Sequence, residues 1–481
     1  MKNTVLLSFL FFTIAILQSC LNNELHFKNA YVIENVNIID PLEGIQNNMT
    51  VVIKESKIDQ LFKADNVELS PKNTIYDGTN KYLIPGLWDA HIHYAFETSL
   101  AKKMNDLFLS HGVTSVRDTG GPIDFVLPFK EHSLQNPKTS PRVKIAGPLI
   151  DGKFNVYNGS SSSYPLLSIQ NITLSDLQIQ VQELIDKKVD FLKAYEMLSP
   201  NQFKLLSKMA KENNLKLTGH VPLSMDVITA SNLGLNSMEH LRNIELSMSE
   251  NFDSYLSDRL LALENKGNLS GSKLRSSLHL SQRIKAVSTI DASKQEAVLN
   301  VLAENDTWQI PTLELYQTFA NKKYKEKTFQ SHFSMIPDSI RSKWLKEINS
   351  TSTEIDQDIL KYTQWSSEMV NKMHKKNIPF MAGTDTPIGY LIPGLSLHEE
   401  LIQLNNSGFS NLETLKTATL NPAKYFGLEK TLGRIKAGYE ADLILLDKNP
   451  LESIENTRTI KAVIKGGNYM NRFYLDSLQA N

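Results

Sequence analysis

The fold of this chain is decided by the stretch Tyr82-Leu-Ile-Pro-Gly-Leu-Trp-Asp-Ala-His-Ile-His93. Its apolar residues, with a bend at Pro85-Gly86, are typical of a buried strand that ends in two histidines. In a β-strand, residues i and i+2 point to the same side, so His91 and His93 can grip one metal ion. Two ordinary histidines at a strand edge would look the same, so the interpretation depends on further ligands downstream.

From residue 85 to about residue 430, short apolar strands alternate with amphipathic helices. After the opening strand, seven more strands are predicted, beginning at Val113, Val143, Phe191, Lys216, Ser237, Trp308 and Pro379. Eight such units predict an α/β fold, a (β/α)8 TIM-type barrel over residues 85–430. The polar, helical stretch from about 242 to 376 is interpreted as enlarged loops that cover the site.

The two ends of the chain are rich in β-branched residues and turn signals. Residues 31–84 read as several short strands, and strands return after residue 430. Neither segment has enough strands to be stable alone. We therefore expect residues 31–84 plus 431–481 to form one composite β-sandwich beside the barrel.

The N-terminal sequence has the pattern of an export signal. One lysine is followed by an apolar run from Val5 to Leu17 and then by Gln18-Ser19-Cys20, which holds the single cysteine of the chain. This pattern resembles a lipoprotein signal peptide over residues 1–19, with lipidation at Cys20 and a tether over residues 20–30. An ordinary secretory signal is the alternative. The expected location is the bacterial cell envelope, either facing the periplasm or at the cell surface.

The overall composition is that of an ordinary globular protein. The 481 residues are 21% charged and 41% hydrophobic, and the formal net charge is −1. Without a basic block, nucleic acid is not expected as a partner. Contact with a membrane is expected only through the lipid anchor, and a homo-oligomer is left open.

Residues that can bind a divalent metal follow several of the predicted strands. They are His91, His93, Lys193, His220, His240 and Asp385. In a barrel, the chemistry collects at the C-terminal ends of the strands. Six residues of metal-binding types at such ends are far more specific than the first pair alone.

Each later residue also has a purely structural interpretation. Lys193 could extend its amine from a strand end into solvent, or it could pair with Glu196. His220 could be a core histidine with satisfied nitrogens, and Asp385 could be a turn residue. These interpretations would all have to hold together for the metal site to be absent.

The remaining candidates are weaker. His240 could instead cap a helix or pair with Glu239. Tyr195, two residues after Lys193, faces the same way and could contact substrate, although barrel packing explains it equally well. His398, after the eighth strand, is a second substrate-binding candidate. Most of the other histidines are expected at the surface or in loops; they are His26, His111, His132, His279, His332 and His374.

Several motifs resemble those of a known superfamily. They are Asp89-Ala-His-Ile-His93, Asp190-Phe-Leu-Lys193, Gly219-His220, Met238-Glu-His240 and Gly383-Thr-Asp385. They look like the metal motifs of the amidohydrolase superfamily, in its imidazolonepropionase-like and prolidase-like subgroup. The resemblance runs from about residue 30 to residue 472.

The resemblance implies a binuclear metal site. His91, His93 and Asp385 would hold one of two divalent metal ions, with Zn2+ expected first. His220 and His240 would hold the second ion. Lys193 would carry a carbamate derived from CO2, which turns a cation that repels metals into a bridging anion.

The implied activity is that of a hydrolase acting on carbon–nitrogen bonds. A metal-activated hydroxide would attack an amide or peptide bond of a small molecule such as a dipeptide or an N-acyl amino acid, with Asp385 as catalytic proton shuttle. The alternatives are a mononuclear imidazolonepropionase-like cyclic amidase, an ester or lactone hydrolase, a non-catalytic binding barrel, and a solute-binding lipoprotein with two lobes.

Overall fold

The computed structural model describes residues 25–66 and 68–480. The predicted signal peptide, Cys20 and the first part of the predicted tether lie outside the described residues. Within the described part of the chain, no helix combines the length and the apolar character needed to cross a membrane.

The strands and helices of the described residues are numbered in chain order. The strands are β1 (Ala30–Asp40), β2 (Gly44–Lys54), β3 (Lys57–Lys63), β4 (Thr74–Asp77), β5 (Tyr82–Pro85), β6 (Leu87–Ile92), β7 (Val113–Asp118), β8 (Arg142–Ile145), β9 (Leu149–Asp151), β10 (Asn158–Ser161), β11 (Tyr164–Leu166), β12 (Ser168–Gln170), β13 (Phe191–Ala194), β14 (Lys216–Gly219), β15 (Ser237–Glu239), β16 (Trp308–Ile310), β17 (Leu443–Leu446), β18 (Ile460–Lys465) and β19 (Asn468–Asn471). The helices are α1 (Ala101–Ser110), α2 (Ile123–Gln135), α3 (Leu174–Asp186), α4 (Pro200–Glu212), α5 (Val227–Leu233), α6 (Ile244–Ser247), α7 (Phe252–Glu264), α8 (Gly271–Ser288), α9 (Ala292–Glu304), α10 (Leu313–Ala320), α11 (Lys327–Ser331), α12 (Asp338–Ser350), α13 (Gln357–Lys375), α14 (Leu395–Asn406), α15 (Asn411–Thr417), α16 (Leu420–Tyr425) and α17 (Arg472–Ala480).

The two terminal segments share one sheet. Its strand order is β19-β18-β17-β5-β1-β2-β3, and β4 pairs with β1. The junction lies between β5 and β17, which run antiparallel with Ile84 opposite Ile444. Side chains such as Ile33, Val51 and Leu443 form a separate apolar core for this sheet. The structure thus joins the predicted segments in a single sheet, while their arrangement as a sandwich stays a prediction.

The central strands run parallel in two sheets. One has the order β6-β7-β8 and the other β12-β9-β13-β14-β15-β16. Every residue of β6, β7 and β13 is buried, as expected for parallel strands covered by helices. The third predicted barrel strand is split at Gly147-Pro148, so that β8 pairs with β7 and β9 pairs with β13. The result is a TIM-barrel-like α/β fold.

The eighth predicted strand is less regular than expected. Residues 379–386 form only isolated bridges, from Phe380 to Gln309 on one side and from Thr386 to Ile92 on the other. Gly383 lies close against the first strand, β6: a Cβ there would come within 2.8 Å of the His91 backbone nitrogen. The segment still connects β16 to β6, and it places Asp385 beside the first strand.

Two of the helices between the strands begin with a recognisable capping sequence. Helix α3 starts after a capping box of Thr173 and Asp176, and α4 starts after one of Ser199 and Gln202. The stretch predicted as helical loops holds α6 to α13 together with β16. Among these helices, α8 contributes side chains to the mouth of the strand-end site.

Candidate active site

The first strand and the irregular eighth segment bring three metal-binding side chains together. His91 Nε2 lies 3.3 Å from His93 Nε2. Asp385 Oδ1 lies 3.1 Å from His91 Nε2 and 3.2 Å from His93 Nε2. All three side chains are buried. Their ligand atoms lie within 4.8 Å of one another, close enough to surround a single ion.

In each of these two rings, the hydrogen-bond partner of Nδ1 determines whether Nε2 has a lone pair for a metal. His93 Nδ1 lies 3.0 Å from the Gly120 carbonyl oxygen, and His91 Nδ1 contacts the carboxylate of Glu239. Since both partners accept, each Nδ1 donates and each Nε2 of the neutral ring keeps a lone pair. Two lone pairs therefore meet the carboxylate of Asp385 at one buried point. Acceptors that converge in this way fit a divalent cation.

The buried carboxylate of Glu239 contacts His91 on one side and two buried cations on the other. Its Oε1 accepts a hydrogen bond from Arg117 at 2.7 Å and lies 3.7 Å from Lys193 Nζ. Burial raises the pKa of Glu239, but Arg117 and Lys193 outweigh it and hold the pKa well below its usual range. Glu239 is therefore a carboxylate, as the hydrogen bond from His91 requires.

Lys193 lies beneath the same cavity. Its side chain is buried, and Nζ has no hydrogen-bond partner among the described residues. Burial lowers the pKa of Lys193 to about 8, although the nearby Glu239 opposes this. The alternative pairing with Glu196 is not formed, because the carboxylate of Glu196 is directed at His220 and α8.

His220 and His240 approach from the next two strands. Their ring centroids lie 5.0 Å apart, and His240 Nε2 lies 3.7 Å from Asp385 Oδ2. Each Nδ1 again has a partner: His220 Nδ1 lies 2.6 Å from Glu196 Oε1, and His240 Nδ1 lies 2.7 Å from Thr312 Oγ1. His240 thus faces the same carboxylate as the first pair, and His220 lies beside His240.

Backbone conformation directs several of these side chains. Asp385, His240 and Thr312 all have left-handed backbones, with φ of 66°, 58° and 50°. Such values are uncommon in residues other than glycine, and unfavourable for a β-branched residue such as Thr312. Backbone strain of this kind collects at functional sites, where the surrounding structure enforces it.

The cluster forms the floor of a cavity that opens outward. The lining includes His91, His93, Leu149, Tyr157, Leu167, Lys193, Tyr195, His220, His240, Arg242, Arg275, Asp385 and Ile388. An outer groove of about 470 Å³ shares Tyr157 and Ile388 with this cavity and is also lined by Trp344 and Tyr390. Tyr195 lines the cavity, with its ring 4.6 Å from that of His220, and its contact with substrate stays a prediction.

Comparison with known proteins assigns the family. The sequence profile of the Amidohydrolase family matches residues 82–470, which is most of the chain. The chain belongs to the amidohydrolase family. This match includes all six strand-end residues, and proteins of the family generally bind divalent metals.

Solved structures share the fold of this amidohydrolase. A crystal structure of a Xaa-Pro dipeptidase with bound methionine in the active site is 17% identical, covers 92% of this chain and 100% of its own, and gives a TM-score of 0.66. The crystal structure of A. niger ochratoxinase is 16% identical, covers 92% of this chain and 96% of its own, and gives a TM-score of 0.64.

Curated relatives match shorter parts of the sequence. Ochratoxinase from Aspergillus niger is 37% identical over 97 residues, which is 19% of this chain and 19% of the relative. Adenine deaminase from Clostridium perfringens is 26% identical over 182 residues, which is 36% of this chain and 29% of the relative. The chain therefore spans less than a third of the length of either relative in these matches.

Other residues of this amidohydrolase site were missed in the sequence. Glu196 accepts from Arg275 Nε at 3.0 Å and lies 2.6 Å from His279 Nε2, both on α8. The expectation that His279 lies at the surface or in a loop is wrong, since it is helical and only 7% exposed. A signal was present: Arg275 and His279 are four residues apart and share one helix face.

The structure does not bring His398 to this cluster. The residue is buried in α14, where its ring nitrogens lie 2.9 Å from Thr457 Oγ1 and 3.0 Å from the His111 carbonyl oxygen. It lines a different surface pocket, beside Asp447 and Arg472. The geometry gives His398 a packing role and no contact with the candidate site.

Proposed function

We propose that this chain is a metal-dependent amidohydrolase that hydrolyses a C–N bond, amide or peptide, in a small molecule such as a dipeptide or N-acyl amino acid. The observation that carries the proposal is the convergence of His91 Nε2, His93 Nε2 and Asp385 Oδ1 at one buried point. The family match supports the reaction class. The named substrates remain part of the proposal.

Two divalent metals, most simply Zn2+, would be held by this site. His91, His93 and Asp385 would hold the deeper one, and His220 and His240 the other. Bound divalent metals supply a Lewis acid and lower the pKa of water. The geometry supports this assignment because each histidine has its Nδ1 engaged elsewhere, which leaves Nε2 available.

Lys193 would join this ligand set as a carbamate. Its neutral amine forms a bond to the carbon of CO2 and releases one proton, which gives an anionic side chain. The proposal is supported by the burial of Nζ without a hydrogen-bond partner among the described residues. An ammonium at this position would repel metal cations, whereas a carbamate would bridge them.

Asp385 would act as the proton shuttle. Burial raises the pKa of Asp385, but His91 and His240 outweigh it and hold the pKa well below its usual range. The group is therefore a carboxylate that can accept a proton from the attacking water. In the next step it would deliver that proton to the leaving nitrogen, which makes the amine a better leaving group.

Metal analysis tests the proposal together with a hydrolysis screen. After reconstitution with Zn2+ and bicarbonate, we expect two metals per chain and release of amine from dipeptides or N-acyl amino acids. Lys193→Met should bind fewer metals, whereas the control Lys343→Met, in the outer groove, should bind as many as the wild type. Fewer than two metals in the wild type would contradict the binuclear site, and turnover of esters or cyclic amides alone would contradict the substrate class.

We also propose that the protein is a lipoprotein of the bacterial cell envelope. Support comes only from the sequence Leu17-Gln-Ser-Cys20, after the apolar run. Cys20→Ser should move the protein from the membrane fraction to the soluble fraction and abolish labelling with a radioactive fatty acid. An unchanged distribution would contradict the anchor.

A further inference from the structure

The inner cavity, which holds the strand-end cluster, is too small for a whole substrate. It encloses about 30 Å³, which is close to the volume that one water molecule occupies in the liquid. Pockets that hold an entire small ligand typically enclose about 300–1,000 Å³. The inner cavity can therefore take the scissile bond and the attacking water, and the rest of a dipeptide or an N-acyl amino acid has to lie outside it.

The outer groove is the neighbouring space that shares walls with the inner cavity. Tyr157 and Ile388 line both spaces. Residues 387–390, which closely follow Asp385 in the chain, form one wall of the groove. Its volume of about 470 Å³ is that of a small-ligand pocket. The groove therefore has the position and the volume to receive the part of the substrate that the inner cavity leaves outside.

Aromatic side chains form much of the lining of this groove. They are Phe96, Tyr157, Phe319, Trp344 and Tyr390. The rings of Trp344 and Tyr390 lie edge to face with centroids 5.6 Å apart, and the ring of Tyr324 lies 5.4 Å from that of Tyr390. Rings that already pack on one another lose little freedom when a ligand binds. Their faces and edges favour an aromatic partner over a saturated group of the same size.

The charges of the groove favour an uncharged occupant over an anion. The lining holds two carboxylates, Glu97 and Glu347, and one amine, that of Lys343, which contacts Glu97. Burial and the negative charge of Glu347 raise the pKa of Tyr390 to about 12, so this hydroxyl stays neutral. A second negative charge beside Glu347 would be repelled. A neutral ring can use the aromatic lining without this repulsion.

We propose that the outer groove binds an aromatic group of the substrate, so that this chain prefers amides in which such a group lies a few bonds from the scissile bond. The inference rests on the proposed function for the nature of that bond. The strand ends select the bond, and the groove selects the substituent. Helix α12 supplies Lys343, Trp344 and Glu347 to the groove, so this specificity comes from the enlarged loops outside the barrel strands.

Two matched sets of substrates test the preference. In the first set, L-leucine carries an acetyl, a 3-phenylpropanoyl or a 3-cyclohexylpropanoyl group, and release of leucine is measured. The second set places the rings on the amine side, as N-acetyl-L-homophenylalanine and N-acetyl-L-homocyclohexylalanine. In at least one set, kcat/KM for the phenyl compound should exceed that for N-acetyl-L-leucine by about tenfold and that for the cyclohexyl compound by about threefold. Equal values for phenyl and cyclohexyl compounds in both sets would overturn the proposal.

Variants of the groove test where the preference arises. Ser163 is an exposed residue of the β10–β11 turn and lines the groove. Ser163→Trp fills the groove and should remove the preference for the phenyl compound. Ser160→Trp, at an exposed position of the same hairpin outside the groove lining, should retain it. Phe319→Leu keeps the bulk but removes a ring, and it should reduce the ratio between phenyl and cyclohexyl compounds. Full retention of the preference in both Ser163→Trp and Phe319→Leu would overturn the proposal.

A binding measurement separates this inference from the proposed function. If no compound of either set is cleaved, the result contradicts the proposed function, and calorimetric binding of 3-phenylpropanamide against 3-cyclohexylpropanamide decides the role of the groove. Tighter binding of the phenyl amide that is lost in Ser163→Trp and kept in Ser160→Trp supports the aromatic site. Equal binding of the two amides, binding of neither, or a preference that Ser163→Trp leaves unchanged overturns it.

Discussion

The two halves of the candidate site are built in different ways. On one side, His91 and His93 are positioned by a barrel strand, and the Nδ1 of His93 contacts the backbone carbonyl of Gly120. On the other side, His220 is positioned through Glu196, whose charge is balanced by Arg275 and His279 from helix α8. The first half depends on the sheet alone, whereas the second half depends on an inserted helix. The two halves should therefore respond differently to mutation.

Asp385 faces both halves, so its substitution should have the largest effect. Asp385→Asn retains size and shape but cannot accept a proton, and we expect kcat to fall by at least about 10³-fold. The far-ultraviolet circular dichroism spectrum should be unchanged, since the backbone of this segment is held by hydrogen bonds to β6 and β16. Turnover near that of the wild type would rule out the proton shuttle.

Glu196 tests the half that depends on α8. Glu196→Gln removes the negative charge that balances Arg275, so the unfolding free energy should fall by about 3 kcal/mol. The variant also weakens the orientation of His220, so metal affinity or kcat should fall by about 10-fold to 100-fold. Calorimetry and metal titration would measure the two effects.

A surface acid provides the control for Glu196. Glu399 pairs with Arg458, and both side chains are partly exposed. Glu399→Gln should cost less than about 1 kcal/mol, because exposed ion pairs contribute little. Equal effects of the two substitutions would show that α8 is not coupled to His220.

The half of the site that is built on the strands could be predicted from the sequence, whereas the contacts of the other half with α8 could not. His91 and His93 were predictable as ligands because further candidate ligands follow the later predicted strands, and the strand ends placed Asp385 nearby. Glu196 was considered only as a partner of Lys193. Its actual partner Arg275 is 79 residues away in sequence, and only the packing of α8 brings the two together. The close approach of Gly383 to β6 was also hidden, since it is a contact between two backbones that are distant in sequence.

Thr312 offers a smaller test on the histidine that lies between the halves. Its hydroxyl lies 2.7 Å from His240 Nδ1. Thr312→Ala removes this partner, and we expect metal affinity to fall by about tenfold. Thr312→Ser retains the hydroxyl and should keep most of the affinity. Equal affinities for the two variants would show that the hydroxyl does not orient His240.

His398 gives the smallest expected effect on activity. The sequence made it a substrate-binding candidate, but its two ring nitrogens contact Thr457 and the His111 carbonyl, away from the cavity. His398→Gln should leave kcat/KM and metal content unchanged, while buried hydrogen bonds worth about 1 kcal/mol each are lost or weakened. A lower melting temperature with unchanged kinetics would confirm a packing role. A change in KM alone would instead require α14 to reach the substrate, which would break the separation between the strand-end site and the helices outside it.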